Sequence, residues 1–252
     1  MTSRSLVAIA LVVVALVAGK ATGLVDDQTP PTSPPPAASS PAEGTYHPGE
    51  LGDLDEQLAL VQVVDDRTPT PGYDRSCGTD RGCNFGPAWS DDVEVEFGRN
   101  GCDTRNDVLA RDLADVEHRP GTRDCVVTAG TLDDPYTGQL IEFTKESAHE
   151  VHIDHLYSLA RAWDLGASTW SPDRRRAFAN DPINLLAVSG PANSSKGDRG
   201  PGEWLPVNAG YRCTFVARYL DVAIAYDLPI TRADHEAVTT IAPKCASTDE
   251  QR

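Results

Sequence analysis

The chain is 252 residues long, with 38 Asp and Glu against 22 Lys and Arg and a formal net charge of −16. That balance excludes a surface that is basic all round, because non-specific affinity for phosphates comes mainly from Lys and Arg. Roughly 200 residues follow a Pro-rich segment, enough for one substantial core and too few to demand two domains.

Met1 to Ser5 is short and carries Arg4, and Leu6 to Gly19 is an unbroken apolar run of 14 residues. This is the length of an export-signal core and is short for a membrane span. Residues 1–23 are therefore expected to be a signal peptide, with an uncleaved membrane anchor as the alternative. Residues 24–50 contain Thr-Pro-Pro-Thr-Ser-Pro-Pro-Pro, a composition that cannot bury apolar surface and predicts an extended linker. Residues 51–245 form the expected folded domain and 246–252 a tail. The chain reads as a secreted, extracellular monomer without stable membrane association.

Cys77, Cys83, Cys102, Cys125, Cys213 and Cys245 are even in number, which in an exported chain points to disulfides. None forms a C-x-x-C pair, so a thiolate zinc shell is disfavoured. Fifteen pairings are open to six cysteines. Short separation along the chain favours Cys77–Cys83, Cys102–Cys125 and Cys213–Cys245.

In the second half, Val151 and Ile153 alternate with polar positions, which predicts a strand over 150–155. Leu156–Leu165 reads as a helix closed by Gly166. Ser171 and Pro172 suit the cap and first position of a second helix, which runs through Arg174-Arg175-Arg176 to Phe178 and stops before Asp181-Pro182. Ile183–Val188 is strand-like, Gly190-Pro191 reads as a turn, and a short helix from Asn193 ends before Gly200-Pro201. The pattern predicts an α+β fold.

Asp154, His155 and Asn193 place a carboxylate, an imidazole and an amide in one segment of the chain. A regular strand sends Asp154 and His155 to opposite faces, so the strand must end or bulge there. Asn184 has a plain reading as a turn residue, and Asn193 as a helix cap. His149, His152 and His155 lie three apart and raise a tri-His zinc site as an alternative. His149-Glu150-Val151-His152 is one residue short of H-E-x-x-H, and its strand-like flanks disfavour the required helix.

The order Asp154-His155, Asn184, Asn193 resembles an HNH nuclease. Tyr73-Asp74-Arg75, the stretch Asn100 to Leu109, Asp134-Pro135-Tyr136-Thr137-Gly138, Phe178 to Leu186 and Gly202-Glu203-Trp204-Leu205-Pro206 extend the likeness over about residues 55–245. Together they resemble the secreted actinobacterial HNH nucleases, related to the C-terminal nuclease part of GmrSD-type restriction enzymes. The resemblance implies a ββα-metal (His-Me finger) core with two helices inserted between its strands, further helices around it, and disulfides. It implies Asp154 and Asn193 as metal ligands, His155 as general base, and Asn184 as the residue that fixes the loop and the imidazole. The cofactor would be Mg²⁺ or Mn²⁺ and the substrate nucleic acid, DNA ahead of RNA. Leu156-Tyr157-Ser158-Leu159 and the Cys77 to Cys83 pair depart from the family pattern.

Arg105, Lys196 and Arg199 are candidate phosphate contacts, with a structural salt bridge as the other reading of each. The triplet Arg174, Arg175 and Arg176 reads as a basic groove or as a solvated helix face. Two rival functions stand beside the nuclease: a secreted wall or ligand-binding module without catalysis, and a zinc hydrolase using His149, His152 and His155.

Overall fold

The computed structural model describes residues 53–249, so the expected signal peptide (1–23) and linker (24–50) lie outside the described residues. Helix α1 (Leu54–Leu60) is capped by Asp53, and strand β1 (Val63–Val64) follows. A stretch without helix or strand then runs to Asp103, which caps α2 (Thr104–Asp112) through Asn106 N. Strands β2 (Ala114–His118), β3 (Val127–Asp133) and β4 (Leu140–Thr144) form an antiparallel sheet in that order.

The next elements carry the site. Strand β5 (Val151–His155) is followed by α3 (Leu159–Asp164), α4 (Pro172–Asn180), β6 (Leu185–Ser189) and α5 (Gly190–Lys196). Helix α6 (Arg212–Tyr226), strand β7 (Ile230–Thr231) and helix α7 (Arg232–Asp249) complete the fold, with α7 running past the boundary expected at Cys245. β5 pairs antiparallel with β6 from Val151↔Ser189 to His155↔Leu185, and β1 pairs parallel with β7. The fold is α+β with small sheets.

Alternation along β6 explains where the core lies. Leu185 and Ala187 pack with Val108, Leu109, Val151 and Ile153, while Leu186 and Val188 join a second cluster with Phe215, Tyr219 and Leu220 of α6. The β5–β6 pair is thus a wall shared by two apolar clusters, and this holds the end of β5 rigidly. A buried guanidinium adds a cross-tie, for Arg161 of α3 donates to Tyr219 Oη at 2.9 Å, to Glu203 Oε2 at 2.9 Å and to Asp234.

Local hydrogen bonding shifts three of the expected boundaries. α3 starts at Leu159 rather than Leu156, because Leu156 N and Tyr157 N donate to the backbone and side chain of Asn184 and Ser158 becomes the cap. Pro182–Asn184 is a 3-10 turn capped by Asp181, so the strand expected from Ile183 begins at Leu185. Gly190-Pro191 is not a separate turn: Ser189 caps α5 by accepting from Ala192 N, and Pro191 fits its first turn, where the missing N–H costs nothing. Gly190 is required there, since a Cβ would collide with the His149 carbonyl. α4 has its cap at Ser171 and Pro172 at its start, as the sequence predicts.

The disulfides are Cys77–Cys83, Cys102–Cys125 and Cys213–Cys245, the pairs favoured by separation along the chain. Cys213–Cys245 joins α6 to α7. Among the described residues, no helix is long and apolar enough to cross a membrane.

Candidate active site

Asp154 and His155 are the last two residues of β5. Their register with Leu186 and Leu185 is regular, so no bulge re-aims them; the strand ends instead. Both line one cleft of about 270 Å³, together with Ser158, Asn193 and Asp198.

His155 is buried, with Nε2 2.9 Å from the Ala179 carbonyl at the end of α4. A carbonyl only accepts, so Nε2 carries the proton and Nδ1 keeps its lone pair. Burial lowers the imidazole's pKa from 6.5 to about 4; the Ala179 bond opposes this, while Arg75 and Lys196 push it down further. At neutral pH the ring is an uncharged acceptor of protons. Trp89 stacks on it, with centroids 6.1 Å apart and planes inclined by 11°.

Asp154 is also buried, yet carries three contacts. Tyr136 Oη donates to Oδ2 at 2.5 Å, and Lys196 Nζ lies 3.1 Å from Oδ1 and 3.0 Å from Oδ2. Burial raises its carboxyl above the ordinary range, and Lys196 and Tyr136 pull it back. Lys196 is wholly buried and also donates to His155 O at 2.9 Å. Its expected role as a phosphate contact is therefore corrected: it is the internal counter-ion of Asp154, with no face open to a ligand.

Asn193, on α5, reaches into the same cleft, and its Nδ2 lies 3.5 Å from His152 Nδ1. The donor set fits a hard divalent cation, since Asp154 and Asn193 both offer oxygen. A carboxylate has about four lone-pair sites; Tyr136 and Lys196 take up to three, and the backbone N–H of His155 acts on the same group. Lys196 is nonetheless a resident cation that a metal would have to share the carboxylate with.

Asn184 is buried and binds the loop after β5 at both ends of its amide. Tyr157 N donates to Oδ1 at 2.8 Å, and Nδ2 donates to Tyr157 O at 3.1 Å. It touches the loop rather than the imidazole. The three expected His ligands do not converge: His149 is exposed beside Glu150, His152 faces Asn193, and His155 bonds to Ala179. Among the described residues, no group of three or more His, Cys, Asp or Glu could hold a metal ion, which leaves the zinc-hydrolase reading without a site.

The arginines separate into used and open ones. Arg174 lies over Trp170 and donates to Tyr226 O at 2.7 Å. Arg175 donates to Asn84 O at 2.6 Å and Trp170 O at 2.5 Å, and Arg176 pairs with Asp173 at 3.0 Å. Arg175 ties α4 to the carbonyls of Asn84 and Trp170, Arg174 reaches the end of α6 while staying exposed, and Arg176 pairs within α4. Arg199 is exposed and donates through Nε to Lys196 O at 3.1 Å. Arg105 donates to Ala148 O and Val151 O through Nη2, while its buried Nη1 has no partner.

Sequence reasoning assigned no role to Tyr136, Trp89 or Asp134. The Asp-Pro-Tyr-Thr-Gly motif was the available signal for two of them: Asp134 accepts from Tyr136 N, Thr137 N and Ser189 N, and so holds Tyr136 against β6. Trp89 lies in the irregular stretch, where no periodicity marks it.

A curated relative from Arthroderma benhamiae, described as an uncharacterized secreted protein, is 38% identical over 146 residues, covering 57% of this chain and 68% of that protein. No solved structure was found to match the chain. The family described as GmrSD restriction endonucleases, C-terminal domain, matches residues 103–241, which span β5, the inserted helices, β6 and α5. The chain belongs to the family of GmrSD restriction endonuclease C-terminal domains.

Proposed function

We propose that this protein is an exported, HNH-type endonuclease that hydrolyses phosphodiester bonds of nucleic acid, DNA ahead of RNA, with β5, β6 and α5 as its ββα-metal core. The observation that carries the reading is the state of His155: Nε2 is tied to Ala179 O, Nδ1 is unprotonated, and the ring is neutral at pH 7 beside Asp154 and Asn193. The family match and the secreted relative support it.

In this reading His155 Nδ1 accepts a proton from a water molecule as the water oxygen bonds to phosphorus. The bond to the leaving 3′ oxygen breaks, and that oxygen takes a proton from solvent. Ala179 fixes the tautomer, and Asn184 fixes the loop that follows the base. Asp154 and Asn193 would hold the divalent ion, Mg²⁺ or Mn²⁺, and the ion when bound neutralises charge on the phosphate and the leaving oxygen. Tyr136 and Lys196 oppose the effect of burial on the Asp154 carboxyl and hold its orientation.

Incubating the protein with plasmid DNA, with structured RNA, and with Mg²⁺ or chelator tests this. Metal-dependent nicking supports the reading, and absence of cutting under all conditions favours a non-catalytic binding module.

A further inference from the structure

Three cavities adjoin in a row at the site. Arg75 and His155 line both the Asp154 cleft and a narrow slot that includes Trp89 and Asn180. Trp89 in turn lines both that slot and a cavity of about 320 Å³ that holds Arg105, Phe143 and Lys145. The row therefore runs from His155 past an indole to two cations.

Two further features set this row apart from ordinary surface. Trp89 sits at φ +58°, in the left-handed region that bulky residues rarely adopt and that costs on the order of 1 kcal/mol or more. Thr104 N holds it there by donating to Trp89 O at 3.3 Å. The row also contains two buried polar atoms without partners, the acceptor Asn180 Oδ1 and the donor Arg105 Nη1. Arg105 has no carboxylate partner in hydrogen-bond range: it donates only to carbonyls and lies over the Phe143 ring at 6.0 Å. Asp103 is near, but both its oxygens are engaged by Asn106 as the α2 cap.

We infer that this row is the track for an unpaired nucleotide strand of the substrate, an inference that rests on the nuclease reading above. A base next to the scissile phosphate stacks on Trp89 in the cavity of about 320 Å³, and Arg105 with Lys145 binds the next phosphate. Cation, indole, cation is the arrangement that follows a single strand, whose bases expose their faces. In a duplex those faces are covered by neighbouring pairs.

Fluorescence anisotropy of a labelled 12-nucleotide strand, in chelator so that nothing is cut, tests the track against the same sequence as a duplex. The single strand should bind at least tenfold more tightly. Trp89→Ala should weaken it roughly 5- to 150-fold, as expected for one lost base stack, while Trp89→Phe stays within about threefold of the unmutated protein. Arg105→Gln should flatten the slope of log affinity against log salt by about 0.7, the value for one phosphate on a single strand. If Trp89→Ala loses cooperative unfolding, Arg105→Gln decides, together with strand-induced fluorescence quenching that is present in the parent and absent in Trp89→Phe. Unchanged binding by Trp89→Ala, or a duplex bound as tightly as the strand, overturns the track. If it does so while the parent still cuts DNA through His155, the track alone fails; if no nucleic acid binds or is cut, both readings fail.

Discussion

Replacing Lys196 by Met isolates the energetics of the buried pair at the site. Lys196 is wholly buried, and its ammonium contacts both oxygens of Asp154 and the His155 carbonyl at 2.9 to 3.1 Å. Met matches the stem in length and leaves the carboxylate with Tyr136 as its remaining donor among these contacts. Removing one partner of a buried pair costs about 3–5 kcal/mol, because the other charge stays desolvated. Urea unfolding at pH 7 should show that loss. Burial already raises the Asp154 carboxyl, and without the ammonium its folded-state value climbs further above the unfolded one. At that carboxyl the folded variant then binds more protons than the unfolded chain, so the loss relative to the parent shrinks as pH falls from 7 toward 5, against the His155 titration that both proteins share. Adding Asp154→Asn should recover most of the loss, with a coupling of at least about 2 kcal/mol in the double-mutant cycle. A Lys196→Met protein within about 1 kcal/mol of the parent, or an additive cycle, would refute the pair as described.

The imidazole gives a second pH dependence. His155 titrates near 4 when folded and 6.5 when unfolded, so the unfolded chain takes the proton first; the stabilisation is complete above pH 6.5 and falls by roughly 3 kcal/mol toward pH 4. Urea midpoints against pH should show this slope in the parent and a flatter one in His155→Asn. Arg175→Ala removes charged hydrogen bonds to Asn84 O and Trp170 O and should cost about 2–3 kcal/mol in stability while leaving KM unchanged. Arg199→Ala should do the reverse, raising KM and reducing its salt dependence with stability within about 0.5 kcal/mol. Opening Cys213–Cys245 by paired Ser substitutions should cost roughly 3–4 kcal/mol by the chain-entropy relation, given its separation of 32 residues, measured as a shift in urea midpoint.

Elements with a local cause were legible in the sequence. Ser171-Pro172 announces α4 because cap and first-turn proline act within a few residues, and the alternation of Val151 and Ile153 announces β5. The cysteine pairs followed from closeness along the chain. Boundaries set by distant partners were not legible: α3 starts late because Asn184, 27 residues on, takes the backbone of Tyr157. The same holds at the site. Asp154, His155 and Asn193 come to one cleft, but the residues that set their chemistry arrive from elsewhere, Tyr136 from the turn after β3, Trp89 from the irregular stretch and Ala179 O from α4. Charge runs misled for a related reason. Within Arg174-Arg175-Arg176 only the structure separates Arg175, bound to distant carbonyls, from the exposed Arg174, and Lys196 looks exposed beside Ser194-Ser195 until it is found under Asp154.

The central claim is that His155 is the base of a metal-dependent nuclease, and single-turnover cleavage of plasmid DNA in Mg²⁺ by the parent and by His155→Ala tests it most directly. The account predicts a rate lower by roughly 10²–10⁴ in the variant, with cooperative unfolding retained and cutting by the parent abolished by chelator. A His155→Ala protein, purified free of contaminating nuclease, that cuts at the parent's rate would contradict it.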